Sequence, residues 1–222
     1  MGRPRALMSW SSGKDSAFAL HEARRSGEVE IVGLLTTVSE AYGRVAMHGV
    51  REALLEQQAA RLGLPLTRVA LPSPCPNDIY EARMAEAMAA AQADGIHHVV
   101  FGDLYLEDIR RYREEKLAQV GMTALFPLWG RDTAALAAEM IDSGLRAVLT
   151  CADPKQVPAD FAGRWFDREL LAALPDGADP CGENGEFHTL CTAGPMFDAA
   201  IPVTVGERVM RDGFSFAEVR PV

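Results

Sequence analysis

Short apolar runs alternate along this chain with longer stretches in which apolar positions recur every three or four residues. Ala6-Leu7-Met8-Ser9 predicts a first strand, a turn follows, and a helix runs from about Asp15 to Arg25. Ile31 to Thr36, rich in branched residues, predicts a second strand, and Gly49 to Leu62 a helix stopped at Gly63-Leu64-Pro65. A third strand is expected over Leu66–Leu71 and a helix over Asp78–Ala93, capped by Asn77 or Asp78. The fourth strand is His98–Phe101, with a helix over Leu104–Val120 after it. A short strand at Thr123–Leu125, a helix over Thr133–Asp142 and a strand at Ala147–Thr150 complete the series. Alternation at this spacing predicts an α/β fold, a Rossmann-like parallel sheet with helices on both faces and right-handed crossovers. From Cys151 the pattern loosens. Pro154, Pro158, Pro175, Pro180, Pro195 and Pro202 interrupt it, and Asp167–Leu174 is the one helix expected. Residues 1–150 are therefore read as the main domain and 151–222 as a smaller C-terminal portion.

Composition narrows the function. With 222 residues, 48% hydrophobic and 24% charged, the chain can bury a large core. A formal charge of -9 is the wrong sign for a general nucleic-acid binder, which needs a basic footprint to neutralise phosphates. No run approaches the ~20 apolar residues of a membrane span, so a cytoplasmic protein is expected. Cys75, Cys151, Cys181 and Cys191 form no C-x-x-C pair, which points to reduced, inert thiols. The pattern specifies no oligomeric state.

In open parallel sheets ligands bind beyond the carboxyl ends of the strands. The first such position holds Ser11-Ser12-Gly13-Lys14-Asp15-Ser16. A chain passing abruptly from strand to helix turns several N–H groups, and the positive end of the helix dipole, towards one point. Gly13 removes the Cβ that would hinder a phosphate, Lys14 offers positive charge, and three serines offer hydroxyls. The Walker pattern fails, since Met8 and Asp15 stand where glycine and Ser/Thr are required, and the dinucleotide pattern fails because Gly13 is alone. What remains resembles the S-x-G-K-D-S signature of the pyrophosphate-loop ATPases, which cleave ATP to AMP and pyrophosphate. Their usual form has two glycines, and Ser12 occupies the place of the first.

Further landmarks follow in order: Met47-His48-Gly49-Val50-Arg51, Phe101-Gly102-Asp103-Leu104-Tyr105-Leu106-Glu107-Asp108, Pro127-Leu128-Trp129-Gly130, and Cys181 to Thr189 containing Glu183-Asn184-Gly185-Glu186-Phe187-His188. Together with the loop they make nearly the whole chain resemble the diphthine–ammonia ligase family. That resemblance implies amidation of a carboxylate by ATP and ammonium through an acyl-adenylate. It also implies the acceptor class: protein-bound diphthine, or a small-molecule acid where that protein substrate is absent. No part of the chain reads as a domain that releases ammonia from glutamine, so the expected donor is free ammonium, or ammonia supplied by a partner protein.

Residues are assigned on this basis. Ser11, Ser12, Gly13, Lys14, Asp15, Ser16 and Gly102 are expected at ATP, with Mg2+ held largely by phosphates and water and no dedicated protein ligands. Lys14, Asp103, Glu183, Glu186 and His188 are the expected catalytic groups, two carboxylates and an imidazole near a tight Asn-Gly bend being suited to holding ammonium and taking its proton. His48, Glu107, Asp108 and Asn184 are expected at the substrate, although two acids opening a helix also simply favour its dipole. Pro127–Gly130 is expected to shape the pocket wall, and Lys14→Ala to lower turnover far more than stability. Two rivals share the loop: a tRNA-modifying enzyme, and a module that binds or hydrolyses adenine nucleotide without ligation.

Overall fold

The computed structural model describes residues 2–41, 44–45 and 49–222. Strand β1 (Arg5–Ser9) enters helix α1 (Lys14–Ser26), followed by β2 (Glu30–Ser39), β3 (Arg44–Val45), α2 (Glu52–Leu62), β4 (Leu66–Leu71) and α3 (Asn77–Ala93). Then come β5 (His98–Val100), α4 (Glu107–Gln119), β6 (Thr123–Leu125) and α5 (Thr133–Asp142). Leu34 pairs with both Met8 and Leu66, so β1 and β4 flank β2 on opposite sides; β5 lies beyond β1, and β6 beyond β5. These pairings are all parallel. The chain travels from β1 one way to β2 and β4, then back past β1 to β5, which makes the gap between β1 and β5 the switch point.

Burial separates the two faces. On one, Phe18 and Leu20 of α1 and Leu54 and Leu55 of α2 pack against Ala6, Met8 and Leu34. On the other, Met88 and Ala91 of α3 and Leu117 of α4 cover Leu7, Leu35, Val69 and Val99. The expected helix over Asp78–Ala93 begins one residue earlier, on Pro76, which supplies no side-chain cap; neither Asn77 nor Asp78 is the capping residue.

A second sheet of four strands, ordered β8-β7-β10-β9, is built from β7 (Arg146–Ala152), β8 (Phe187–Ala193), β9 (Val203–Arg211) and β10 (Phe214–Pro221). Every pairing in it is antiparallel. The strand expected at Ala147–Thr150 therefore belongs here and not to the parallel sheet. The short helix α6 (Arg168–Ala172) lies within the expected Asp167–Leu174, capped by Asp167, whose carboxylate accepts from Leu170 N at 2.8 Å. Leu149, Phe187, Leu190 and Val219 from this sheet join the α1–α2 core, so one apolar cluster spans both sheets. Among the described residues no helix is long and apolar enough to cross a membrane.

Candidate active site

The turn after β1 is held by hydrogen bonds from distant parts of the chain. Trp10 is buried and its backbone N–H still bonds Leu35 O, extending the β1 ladder by one residue. Ser12 then turns into the left-handed region at φ 71°, as a glycine would, and α1 starts at Lys14. The Ser12 carbonyl accepts from Cys191 N of β8 at 2.9 Å and from Gln58 Nε2 at 2.9 Å. Gln58, fully buried on α2, also donates to Cys191 O at 2.7 Å and accepts from Trp10 Nε1 at 2.9 Å. This amide thus ties α2, the turn and the second sheet together. Sequence reasoning passed over it, because a glutamine on an amphipathic helix carries no motif.

Ser12 carries a cost at this position. A non-glycine residue in the left-handed region loses roughly 1–2 kcal/mol, and Ser12 Oγ is buried without a hydrogen-bond partner. Ser12→Gly removes both penalties but adds about 0.4–1 kcal/mol of unfolded-state entropy to be lost. The net expectation is stabilisation of about 1 kcal/mol, seen as a rise in Tm of roughly 2–4 °C. A lower Tm in thermal unfolding would contradict the assignment of strain.

Ser11 Oγ lies 3.1 Å from Ser16 Oγ, and Ser16 Oγ donates back to Gly13 O at 3.0 Å. Lys14 runs inward from the turn. Its N–H donates to Thr189 Oγ1 at 3.1 Å, while its ammonium pairs with Asp15 at 2.9 Å and donates to Cys181 O. The rings of Phe166 and Phe187 lie 5.3 and 5.4 Å from the same nitrogen. Burial is the largest influence and works against its charge, but Asp15, Cys181 and Glu183 together outweigh it and hold the pKa above the ordinary lysine value. Gly102, just past β5, presses on this first turn of α1: a Cβ there would stand 2.8 Å from Asp15 C and Ser16 N.

The adjoining residues bring the acidic turn to the same place. Asp103 is held by Arg113, whose Nη2 donates at 3.0 Å and whose guanidinium lies over the Phe101 ring at 4.3 Å. Leu104 N donates to Glu183 Oε1 at 2.7 Å. Burial, and after it the charges of Asp15 and Asp103, push the Glu183 carboxyl up to about 7 against the opposing bond from Leu104. Glu186 has a different place. It is buried and accepts from Asp179 N at 2.9 Å, Asn184 N at 2.9 Å and Asn184 Nδ2 at 3.1 Å. Glu186 and Asn184 thus shape the bend, with Gly185 at φ 82°, and Asp179 Oδ2 fixes Glu183 through its N–H at 2.8 Å. His188 is the second residue of β8, and burial, with the nearby Lys14 charge, lowers its pKa to about 4, so the ring is neutral at pH 7.

A cavity of about 640 Å³ opens along the switch side, lined by Trp10 and Ser11, by Thr36 and Thr37 at the end of β2, by Phe101, and by His188. Its far side is helical, with Met84 and Met88 of α3 and Tyr112 and Leu117 of α4. Glu107 and Asp108 sit exposed at the first turn of α4, Asp108 pairing with Arg111. Pro127–Gly130 is not part of the cavity lining. Gly130 N bonds Leu104 O at 2.8 Å, so the segment supports the loop after β5 from behind, and Trp129 lies under Arg110 at 4.7 Å. His48 lies outside the described residues. Burial pushes the thiols of Cys151 and Cys191 up to about 12 and that of Cys181 higher still, so all three stay protonated.

A Rossmann-like parallel sheet with a serine–glycine strand–turn–helix at its switch point, and a carboxyl set against that turn, mark the chain as an α/β protein of the nucleotide-binding type of architecture. Sequence comparison gives the particular family. The model of the diphthamide synthase N-terminal domain matches residues 4–124, and that of the diphthamide synthase C-terminal domain matches residues 132–220. The chain belongs to the diphthamide synthase family, and with it to the amide-forming ligases. It is 27% identical to the diphthine–ammonia ligase of Danio rerio, across 94% of this chain and 90% of that protein. To the diphthine–ammonia ligase of Mus musculus it is 25% identical, across 94% of this chain and 86% of the other.

Proposed function

We propose that this chain is a cytoplasmic ligase that cleaves ATP to AMP and pyrophosphate and amidates a carboxylate with ammonium. The observation that carries this reading is Glu183, titrating near neutrality, set against the turn that opens α1 across the Gly102–Leu104 segment. The cavity lies within the range of roughly 300–1,000 Å³ usual for nucleotide-sized ligands. The nucleoside occupies it, and the phosphates reach Ser11 and the positive N-terminal end of α1. Among the described residues no group of three or more His, Cys, Asp or Glu side chains is arranged to hold a metal. Mg2+ would be held largely by the phosphates of ATP and by water, and would supply charge neutralisation for the leaving pyrophosphate.

The acceptor carboxylate attacks the α-phosphorus, the bond to the β-phosphate oxygen breaks, and pyrophosphate leaves. Glu183, ionised, takes a proton from ammonium held beside Asp103. The ammonia so formed attacks the acyl carbon, AMP departs with the former carboxylate oxygen, and the surplus proton on nitrogen passes to solvent. Neutral His188 accepts a hydrogen bond from the incoming ammonium. The smaller C-terminal portion supplies the substrate side of the site, and Lys14 acts from beneath the turn as a fixed charge and not as a direct phosphate ligand.

Because Glu183 acts only when ionised, kcat/KM rises with pH through an apparent pKa near 7 and levels above it. Glu183→Gln abolishes that limb and lowers the rate by about 10²-fold or more; an unaltered profile in the variant would remove Glu183 from the reaction. The reading as a whole is tested by incubating the protein with Mg2+, ammonium and α-labelled ATP, with and without candidate acids. AMP formation that depends on one acid is the expected result. ADP as the main product would overturn it.

A further inference from the structure

β3 and the start of α2 present two arginines to the second sheet. Arg44 and Arg51 face each other across an antiparallel bridge, and both converge on Glu218 of β10. Arg51 Nε donates to Glu218 Oε1 at 2.6 Å, Arg44 Nη2 approaches Oε2 at 3.2 Å, and Arg220 Nε lies 3.6 Å from Oε1. One carboxylate is therefore shared by three guanidinium groups, leaving a local excess of two positive charges on a chain of net charge -9. Arg44 Nη1 also donates to Gly49 O, and with 42% of the Arg51 side chain and 25% of the Arg44 side chain exposed, part of each guanidinium faces solvent where an anion can approach.

This cluster adjoins the site. Arg44 precedes Val45, which lines the cavity together with Ser11 and His188. On the second sheet Phe216 pairs with Cys151, and Cys151 with His188, so the three share one face and His188 stands two strands from Phe216. Two strand spacings are roughly 10 Å. Glu218 follows on the same face, since Ser215, Ala217 and Val219 alternate into the core.

We propose that Arg44 and Arg51, gathered on Glu218, are a seat for a second anionic group of the acceptor, carboxylate or phosphoryl, distinct from the carboxylate that is amidated. The inference rests on the ligase reading for the word acceptor, and on geometry for the seat. A carboxylate that is to attack phosphorus loses its charge on adenylylation and is made less nucleophilic by a guanidinium clamp. A group that remains charged throughout gains from planar, two-pronged donors held in place. On an acidic protein such a seat also offsets the general repulsion of an anionic substrate.

The test is calorimetric titration of the full chain with tricarballylate, inorganic phosphate and butyrate at low ionic strength, with and without a non-cleavable α,β-methylene analogue of ATP. Tricarballylate or phosphate is expected to bind about tenfold or more tightly than butyrate, and whichever is tighter names the anionic group. Arg51→Gln and Arg44→Gln are each expected to weaken that binding about tenfold while leaving analogue affinity within about twofold. Glu218→Gln frees the arginines and is expected to tighten it about threefold, whereas a purely structural clamp would loosen when Glu218 is neutralised. Equal binding of butyrate and tricarballylate, unchanged affinity in both arginine variants, or weaker binding in Glu218→Gln overturns the seat. Failure of the analogue to bind the unaltered chain would instead overturn the ligase reading, while the anion titrations still decide the seat.

Discussion

Lys14→Ala should unfold at markedly lower denaturant concentration than the unaltered chain, losing roughly 3–5 kcal/mol, the usual cost of removing one partner of a buried ion pair. The ammonium is buried, is paired with Asp15, donates to Cys181 O and sits between Phe166 and Phe187. Deleting it leaves a carboxylate close to Glu183 without its counter-charge, opens a cavity between two aromatic rings, and unties the turn from the Cys181 segment. For a chain of this length the loss corresponds to a fall in Tm of about 10 °C or more. The sequence alone led to the opposite weighting, an effect on turnover far larger than on stability, because a lysine after a glycine in a phosphate-type turn is expected to point at the phosphate. Lys14→Met with Asp15→Asn is the informative control: with both charges gone and most of the volume kept, a good part of the stability returns. A melt of Lys14→Ala that overlays the parent's would show that the ammonium is not held as described.

Gly102→Ala should be the most damaging single methyl group that can be added near the site. Its Cβ would meet backbone on two sides, 2.8 Å from Asp15 C and Ser16 N and 3.0 Å from Asp15 O, so no side-chain rotation relieves it. Overpacking of this kind costs about 1–3 kcal/mol, and here the relief has to come from moving the end of β5 away from the first turn of α1. The same displacement carries Leu104 off the Glu183 carboxylate. ATP affinity is expected to drop about tenfold or more, because a shift near 1 Å in a positioned site is felt at that level. Wild-type stability together with wild-type ATP binding in titrations of the variant would refute the packing account.

The first half of the fold was legible because its signals are local. β4, β6 and α5 fall on the residues expected for them, since each is a run of one periodicity closed by a glycine or proline. The second sheet was not read. Pro195 and Pro202 were taken as interruptions, whereas Pro195 follows the end of β8 and Pro202 precedes β9. They bound strands there instead of breaking them. The alternation Phe214-Ser215-Phe216-Ala217-Glu218-Val219 was present, but the members that go inside include Ser215 and Ala217, so polarity does not mark the buried face. β9 is almost wholly exposed, and its alternating Val203, Val205 and Val209 are interrupted by Glu207. At the site, the turn and Gly102 could be placed from motif and strand end alone. The inward course of Lys14, the structural saturation of Glu186 and the bridging by Gln58 depend on partners up to 175 positions away, which no window along the chain contains.

The bond from Cys191 to the Ser12 carbonyl sets a timetable for the growing chain. β1 and the first turn of α1 leave the ribosome early, yet Cys191 and Thr189, which close the turn, are translated some 175 residues later. At ordinary elongation speeds that interval is on the order of ten to thirty seconds. Throughout it Ser12 has no reason to remain in the left-handed region, and the pocket for the Lys14 ammonium, which needs Cys181, Phe166 and Phe187, does not yet exist. A nascent chain halted before β8 would carry every residue of the phosphate-type turn without its shape, so the ability to receive a nucleotide arrives late and all at once with the last third of the protein.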